Sequence, residues 1–490
     1  MGSEVPRAAV RFPWIPVSVV VALIVASAAV SIGSRDVWAP DEPRYALVAK
    51  EMLASGEWLI PHLNGELYPD KPPLLFWSIA AASRVTGGVG QPAAVLPSLI
   101  AMLVALAGAA RLAWLLAGRR DALVPVLAVG LLGISFRFVM QGGFGQIDML
   151  LCACTTWGFA LLVEGVGWDE DHPPRPGLVV ASYAVMGLGI LAKGPVALIC
   201  PLGGFVVGAL LARRRPLVRR ALRPLAWAAL LGVVGVWLVP AAVHALTSGQ
   251  EAWLTNILFK QTAVRYAASW HHHRPLWYML VVPLYDFQPA IWLLPGALWA
   301  LLRPGSGERR PCAHVLLAGA FLFIVVFFSI PSGKRGLYLL PAYPLVAVWL
   351  ASYLAARIRG LQPARWPRAA AGMVALLGAA FVVATFTVLP REAAEEGLDV
   401  PLWPLTLAFA LVTLGALAAA WRPRATVSWA AAWAPWVLLW GVTYAVVFPA
   451  VDPEKSAAAL ARAVEQRTIP EASGGIVDFR ARFGIHLGRL

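Results

Sequence analysis

Apolar runs long enough to cross a lipid bilayer recur along the whole chain, and they restrict it to one class of fold. A hydrocarbon layer of roughly 30 Å needs about 20 apolar residues in a helix. Because lipid offers no hydrogen bonds to the backbone, each such run must fold as a helix. The composition agrees, since 59% of the 490 residues are apolar and only 13% are charged. The sequence therefore predicts an all-α polytopic membrane protein.

The predicted spans begin with the first apolar run, which we interpret as a membrane anchor. That run is long and lacks a clear small-residue cleavage site, so it does not resemble a secretory signal peptide. We expect about thirteen transmembrane helices in all. The predicted spans are 14–33, 92–117, 121–141, 147–165, 178–192, 194–212, 223–246, 277–302, 312–331, 337–357, 369–390, 402–421 and 427–449.

The positions of the arginines decide whether one further apolar run, 72–86, crosses the membrane. If it does not cross and the N-terminus lies inside, almost every arginine-rich short loop falls inside, as the positive-inside rule expects. A crossing at 72–86 would place loops such as 213–223 and 357–368 outside. We therefore expect 72–86 to dip into the membrane or to lie along its outer surface.

This topology divides the chain into one large domain and a short tail. Residues 1–449 form the predicted transmembrane domain, which includes a long outer loop over 34–91. Residues 450–490 form a short outer C-terminal segment. The formal charge of +14 lies mostly in the inner loops, so it does not indicate a nucleic-acid partner. Cys152 and Cys154 lie in an apolar run without zinc-site spacing, and we expect them to pack in a helix.

The first outer loop contains the stretch "DEPRYALVAKEML", which starts at Asp41. Asp41 can cap a helix that Gly56 ends. Tyr45, Val48 and Met52 share one face of that helix, which predicts an amphipathic helix on the membrane surface.

The stretch "LYPDKPPLLFW" in the same loop places an acid and a base ahead of two prolines. Proline is favoured in the first turn of a helix, so we expect a helix to start there. Lys71 is then fixed at the lipid–water boundary, at the height of a lipid phosphate, with Tyr68 beside it. In that position, Asp70 can pair with its neighbour at the helix start.

Other charged residues fall at the outer ends of predicted spans. Asp148 begins the 147–165 span, Lys193 lies between two spans, and Lys334 with Arg335 precedes 337–357. Each has a simpler explanation when taken alone: an acid can cap a helix and a lysine can extend its charge to water. Together, acids and cations at one membrane boundary suit a phosphate-bearing lipid substrate.

Two residue groups keep such simpler interpretations. Glu42 is either solvated or structural when taken by itself. The run His271–His273 resembles a set of metal ligands, but neighbouring side chains point apart on a helix or a strand.

Four sequence blocks resemble a known family. "DEPRYALVAKEML", "GEWLIPHLNGELYPDKPPLLFW", "LGILAKGP" and "SGKRGLYLLPAYP" are similar to blocks in integral-membrane glycosyltransferases that use polyprenyl-phosphate sugars. Bacterial lipid A aminoarabinose transferases are the closest likeness, and protein O-mannosyltransferases are more distant. The resemblance implies a GT-C type fold, surface helices in the first periplasmic loop and a sugar–phosphate–undecaprenol donor.

The resemblance also implies roles for individual residues. Asp41 and Asp148 match the family's two acids, and Lys71 matches a lysine that contacts the donor phosphate. Two departures are that Asp70 replaces the family's usual glutamate and that Val95 stands where a cation is usual. Asp70 is thus either an acid that pairs with its neighbour at the helix start or a second catalytic carboxylate. The predicted donor-phosphate residues are Lys71, Lys334, Arg335 and Arg265, and the predicted substrate-binding residues are Tyr45, Tyr68, Asp70, Tyr338, Glu42 and Lys193.

The predicted reaction is an inverting transfer of a sugar from a polyprenyl phosphate to a lipid A-like or other periplasmic acceptor, in a bacterial inner membrane protein whose site faces the periplasm. It requires no metal, although Asp41 with Asp148 as a divalent-metal pair stays an alternative. The other expected partners are membrane lipids, and we expect a monomer. One alternative is a protein O-glycosyltransferase of the same fold. Another is a transporter or flippase, which the absence of a clear internal repeat and the placement of charges at span ends disfavour.

Overall fold

The computed structural model describes residues 11–168, 173–264, 273–303 and 312–457, and these are almost entirely helical. The elements of the first half are α1 (Trp14–Ala29), α2 (Glu42–Ser55), β1 (His62–Leu63), β2 (Glu66–Leu67), α3 (Leu74–Thr86), α4 (Gln91–Leu116), α5 (Leu123–Gly133), α6 (Phe136–Gly142), α7 (Ile147–Gly165), α8 (Pro176–Lys193), α9 (Val196–Leu211), α10 (Arg215–Ala221) and α11 (Pro224–Thr247). Those of the second half are α12 (Glu251–Thr255, continued by a π-helix over Asn256–Val264), α13 (Tyr278–Asp286), α14 (Ala290–Leu302), α15 (Cys312–Ser329), α16 (Gly336–Ile358, opening as a 3₁₀-helix), α17 (Arg365–Ala384), α18 (Leu389–Glu395), α19 (Trp403–Trp421) and α20 (Thr426–Lys455).

Each predicted span coincides with one helix or with two consecutive helices. Within the described ranges, nine helices are long and apolar enough to cross a membrane, and α5 with α6 forms a tenth candidate that bends by 73°. The remaining spans correspond to the shorter helices α1 and α9 and to the pair α13 and α14. The chain is thus a multi-pass helical membrane protein, and the number of thirteen crossings stays a prediction.

Helix α3 occupies the run whose crossing was in question. Its 13 residues extend about 20 Å, which is less than the hydrocarbon thickness. At its start, the Trp77 indole donates to the Trp58 carbonyl in the first loop (3.0 Å). Shortly after its end, the Gln91 amide donates to the Ser31 carbonyl at the end of α1 (2.8 Å). Both ends of α3 therefore lie near the same loops, which supports the prediction that 72–86 does not cross.

Hydrogen bonds between loops also indicate which loops lie at the same end of the helix bundle. Asp452, near the end of α20, accepts a hydrogen bond from the Trp38 indole (2.7 Å), so the end of the last span meets the first loop. The Arg274 amide donates to the Ser332 carbonyl (3.0 Å), which joins two more loops predicted to lie outside.

Loops predicted to lie inside meet one another at the opposite end. The Arg359 guanidinium donates to Asp121 (2.6 Å), and Arg220 donates to the Val166 carbonyl (3.0 Å). The loops therefore group as the arginine pattern predicted.

Helix α2 is amphipathic and Gly56 ends it in a left-handed conformation (φ 74°), as predicted. Its apolar face does not lie on lipid, however. Tyr45, Val48 and Met52 are buried, and α2 packs against α3 and α4. The reason is that the return of the chain through α3 covers this face with protein.

A β-hairpin follows α2 and positions the next part of the first loop. Strands β1 and β2 are joined by Asn64 and Gly65, which both have positive φ (57° and 75°), as a two-residue hairpin turn requires. The Glu51 carboxylate of α2 accepts hydrogen bonds from both of their amides (2.6 and 3.1 Å). The hairpin is thereby fixed to α2 just before Tyr68 and Lys71.

Candidate active site where the first loop meets the helix bundle

Asp41 lies directly before α2 and is buried, but its side chain does not cap the helix. Its Oδ2 instead accepts from Gln146 Nε2 and from Arg335 Nη2, both at 3.4 Å. The predicted capping bond is therefore absent. These two contacts are long and engage one carboxylate oxygen, so Asp41 keeps capacity to accept a further hydrogen bond or a proton.

Glu42, the next residue, is saturated by protein contacts. It forms a bidentate ion pair with Arg35 (Nη1–Oε2 2.5 Å, Nη2–Oε1 2.7 Å). It also accepts from the amides of Trp38 (2.8 Å) and Gly145 (2.7 Å). Glu42 is thus buried and not solvated. Its geometry suits a positioning role, because it fastens the start of α2 to the turn that carries Gln146.

The second predicted acid, Asp148, lies in the first turn of α7 and forms an ion pair with Lys193 at the end of α8. The ammonium group of Lys193 also lies 4.9 Å from the ring centroid of Tyr338, at the start of α16. Neither simple interpretation holds, since Gln146 and not Asp148 occupies the N-cap position of α7, and Lys193 turns toward the protein. The pair joins α7 and α8, and the contact of Lys193 with Tyr338 adds α16.

Two buried tyrosines line the space near these acids. Burial raises the pKa of Tyr45 well above its ordinary value, and the charges of Asp41 and Asp148 raise it further. Burial and the charge of Asp70 likewise raise the pKa of Tyr68, while Arg44 acts in the opposite direction. Both phenols therefore stay protonated at neutral pH and remain hydrogen-bond donors.

The segment that holds Lys71 connects the first loop to another loop of the same end. Asp70 accepts from Gln261 Nε2 (2.9 Å), which belongs to the π-helix after α12. Lys71 is half-buried directly before α3, where the two prolines predicted a helix start. Asp70 thus contributes to the position of Lys71.

The predicted cationic pair before α16 divides into two roles. The Lys334 side chain is buried, and its Nζ donates to the Arg274 carbonyl (3.0 Å), so it holds two loops together. The Arg335 side chain is 33% exposed and reaches Asp41. Two sequence predictions, Arg265 and the histidines at 271 and 272, lie outside the described residues.

Sequence reasoning missed a charged network inside the bundle. Arg137 of α6 donates to Asp286 Oδ1 (3.0 and 2.8 Å), and the Tyr343 hydroxyl donates to Asp286 Oδ2 (3.2 Å). The expectation that charges sit only at span ends is wrong here, because Arg137 and Asp286 lie within predicted spans. The signal that could have revealed this network is the presence of ionisable residues inside an apolar run. Gly336 packs against Asp286, so the network supports the loop that carries Arg335.

The described residues contain no group of three or more His, Cys, Asp or Glu side chains placed to hold a metal ion. Asp41 and Asp148 each face a cation instead. The arrangement can bind a phosphate through its cations and accept a proton at a carboxylate.

Comparisons with known proteins find one matching family and several relatives. The model of the family described as dolichyl-phosphate-mannose-protein mannosyltransferase matches residues 70–239. An undecaprenyl phosphate-alpha-4-amino-4-deoxy-L-arabinose arabinosyl transferase from Aeromonas salmonicida is 29% identical over 331 residues, which cover 66% of this chain and 56% of that protein. Its counterpart from Pseudomonas aeruginosa is 31% identical over 343 residues (67% and 58%). The chain thus spans less than three-fifths of the length of these relatives.

The fold is shared with a solved structure. The crystal structure of ArnT from Cupriavidus metallidurans bound to undecaprenyl phosphate superposes with a TM-score of 0.79 at 22% identity, covering 96% of this chain and 84% of that one. The chain therefore has the GT-C fold of ArnT, and its sequence is similar to the undecaprenyl phosphate-aminoarabinose arabinosyl transferases, as its sequence blocks predicted.

Proposed function

We propose that this chain transfers a sugar from a polyprenyl-phosphate donor, of the undecaprenyl type, to a lipid A-like glycolipid. The observation that carries the proposal is the buried Asp41 carboxylate, which leaves its helix uncapped and meets the Arg335 guanidinium. A base and a phosphate-binding cation thus lie side by side. The names of the relatives and the lipid in the ArnT structure support the donor class.

The proposed reaction is a single displacement at the anomeric carbon. The acceptor oxygen forms a bond to that carbon while Asp41 takes its proton. The bond between the carbon and the phosphate oxygen breaks, and its electron pair leaves with the polyprenyl phosphate. Arg335 and Lys71 neutralise the charge that grows on this leaving group, so they stabilise the transition state more than the bound donor.

The proposed setting is the inner membrane of a bacterium, with the site facing the periplasm. The grouping of the arginine-rich loops at the opposite end of the bundle supports this orientation. We propose that the chain acts as a monomer and that the reaction uses no metal.

A protein hydroxyl is the second candidate acceptor. The description of the matching family names a protein as the recipient of mannose, whereas the curated relatives are named for aminoarabinose transfer. The chemistry at Asp41 is the same for both, since either acceptor presents an oxygen that must lose a proton.

The test is sugar transfer by the purified full-length chain in detergent, with a radiolabelled undecaprenyl-phosphate sugar and either lipid A or a periplasmic protein extract. We expect label in the lipid A fraction. Asp41→Asn should lower kcat by about 10² to 10⁴, the usual contribution of a general base. Asp121→Asn, at the opposite end of the bundle, is the matched control and should keep wild-type turnover.

Two results would contradict the proposal. Near-normal turnover in both Asp41→Asn and Lys71→Ala would show that the site lies elsewhere. A chain that moves label to no acceptor in detergent, but moves lipid across sealed vesicles, would be a flippase.

A further inference from the structure

Three arginines converge on one carboxylate oxygen at the end of the bundle far from Asp41. Glu164 Oε1 lies 2.6 Å from Arg111 Nη2, 3.1 Å from Arg119 Nη2 and 3.2 Å from Arg175 Nη1. These residues come from α4, from the turn after it, from α7 and from the start of α8. We refer to Arg111, Arg119, Arg175 and Glu164 as the arginine cluster.

The charges of the arginine cluster do not balance. Three positive charges surround one negative charge, and Glu164 is the acid that these arginines contact within the described ranges. The Glu164 side chain is 4% exposed, whereas those of the arginines are 21–50% exposed. Like charges held this close repel one another, so a second anion would relieve the repulsion. Each arginine side chain thus keeps solvent-exposed surface at which such an anion can approach.

The position of Arg111 along α4 places the cluster at a membrane boundary. Arg111 follows Gln91, the first residue of α4, by 20 positions, which is about 30 Å along a helix and matches the hydrocarbon thickness. Gln91 contacts the end of α1 at the Asp41 end of the bundle. Arg111 is therefore at the level of the lipid headgroups of the opposite leaflet.

An apolar stripe leads to the cluster along the same helix. Ile100, Leu103, Val104 and Ala107 are exposed, and their spacing places them on the face of α4 that carries Arg111. In a membrane-spanning helix, this exposed stripe contacts acyl chains. A molecule with an anionic head and an apolar tail can thus contact the arginines and the stripe together.

We propose that the arginine cluster binds the headgroup phosphate of an anionic phospholipid, such as phosphatidylglycerol, whose acyl chain lies along the α4 stripe. Guanidinium groups match phosphate oxygens with paired hydrogen bonds. Basic pockets between membrane helices are known to suit such headgroups. This binding site is separate from the proposed transferase site and does not depend on it.

The test is thermal unfolding of the purified full-length chain in detergent with added phosphatidylglycerol, phosphatidylcholine or inorganic phosphate. We expect phosphatidylglycerol to raise the unfolding midpoint by several degrees and the other two to have little effect. The double variant Arg111→Gln/Arg175→Gln should lose most of this shift. Arg359→Gln, which removes a charge at the same end but outside the cluster, is the matched control and should keep it.

Glu164→Gln provides a test in the opposite direction, since it removes the competing carboxylate and keeps the side-chain size. We expect a larger response to phosphatidylglycerol in this variant, which a purely structural role for the cluster does not predict. An equal response to phosphatidylcholine, or to inorganic phosphate, would overturn the proposal.

The adjacent acids Asp169, Glu170 and Asp171 lie outside the described residues. If the wild type showed no preference and only Asp169→Asn/Glu170→Gln/Asp171→Asn showed one, these acids would be the counter-charge, and the proposal would also be wrong.

Discussion

At the scale of single residues, the conformation of Asp41 explains why its carboxylate is available. A capping residue usually has an extended backbone, which directs its side chain to the amides of the first turn. Asp41 instead has helical dihedrals (φ −92°, ψ −45°). Pro43, in the first turn, also lacks one of the amide donors that a cap would use. Asp41 therefore stands at the capping position of α2 without capping it, and its carboxylate remains available for other contacts.

The neighbours Lys334 and Arg335 should respond differently to loss of charge. Arg335→Gln should lower kcat by about 10² to 10³ with little change in KM, because its guanidinium acts mainly on the departing phosphate. Lys334→Gln should instead lower the unfolding midpoint, since its ammonium group holds the Arg274 carbonyl. Steady-state kinetics and thermal unfolding of both variants check this prediction. Equal kinetic losses in the two variants would contradict the division of roles.

The pair Asp148 and Lys193 offers a test of whether Asp148 is catalytic. Asp148→Asn leaves Lys193 partly buried without its carboxylate, so we expect loss of both stability and activity. The double variant Asp148→Asn/Lys193→Gln removes both charges. If the pair only positions helices, the double variant should recover activity relative to Asp148→Asn. Activity that stays as low as in the single variant would assign Asp148 a direct part in the reaction.

At the scale of elements, Glu42 decides how α2 is placed against the bundle. Glu42→Gln removes one partner of a buried ion pair, which typically costs about 3 to 5 kcal/mol. We expect a lower free energy of unfolding and a lower kcat, because Asp41 and Gln146 lose their fixed separation. Glu51→Gln, which affects only the hairpin contact, is the comparison variant and should have a smaller effect. Equal effects in both would argue against the positioning role.

The helices themselves could be predicted from the sequence, whereas the bends and breaks within several of them could not. Lipid requires every spanning segment to satisfy its own backbone, so hydropathy alone located the helices. Hydropathy does not show where a helix bends or breaks, and the runs 121–141 and 277–302 are each two helices in the structure. The bend between α5 and α6 and the break before α14 bring Arg137 and Asp286 together. Their pairing required the fold and was beyond sequence reasoning.

For the candidate site, the sequence could suggest candidate residues but not the contacts between them. The charges at span ends made Asp148, Lys193 and Arg335 candidates because they gather at one membrane boundary, and the resemblance of its sequence block to a known family made Asp41 a candidate. Which charges pair depends on side-chain direction, so sequence reasoning could not separate the saturated Glu42 from the available Asp41.

At the scale of the whole molecule, the two ends of the bundle can be told apart by labelling. We expect cysteines introduced at Glu66 and Glu392 to react with a membrane-impermeant thiol reagent added to the periplasmic side of intact cells. Cysteines at Leu361 and Arg424 should react only after the inner membrane is opened. The four native cysteines are first replaced by serine, since two of them are only half-buried. Labelling of Glu66 and Leu361 from the same side would contradict the predicted topology.

The contact of Asp452 with the first loop has a consequence for the order of assembly. Asp452 also accepts from the Asp36 amide (2.8 Å), a residue that precedes it in the chain by 416 positions. A ribosome therefore completes the loop that carries Asp41 long before it makes the partner that holds this loop. The site can reach its final geometry only after the last helix enters the membrane, so a chain released early would hold all its candidate catalytic residues without their final arrangement.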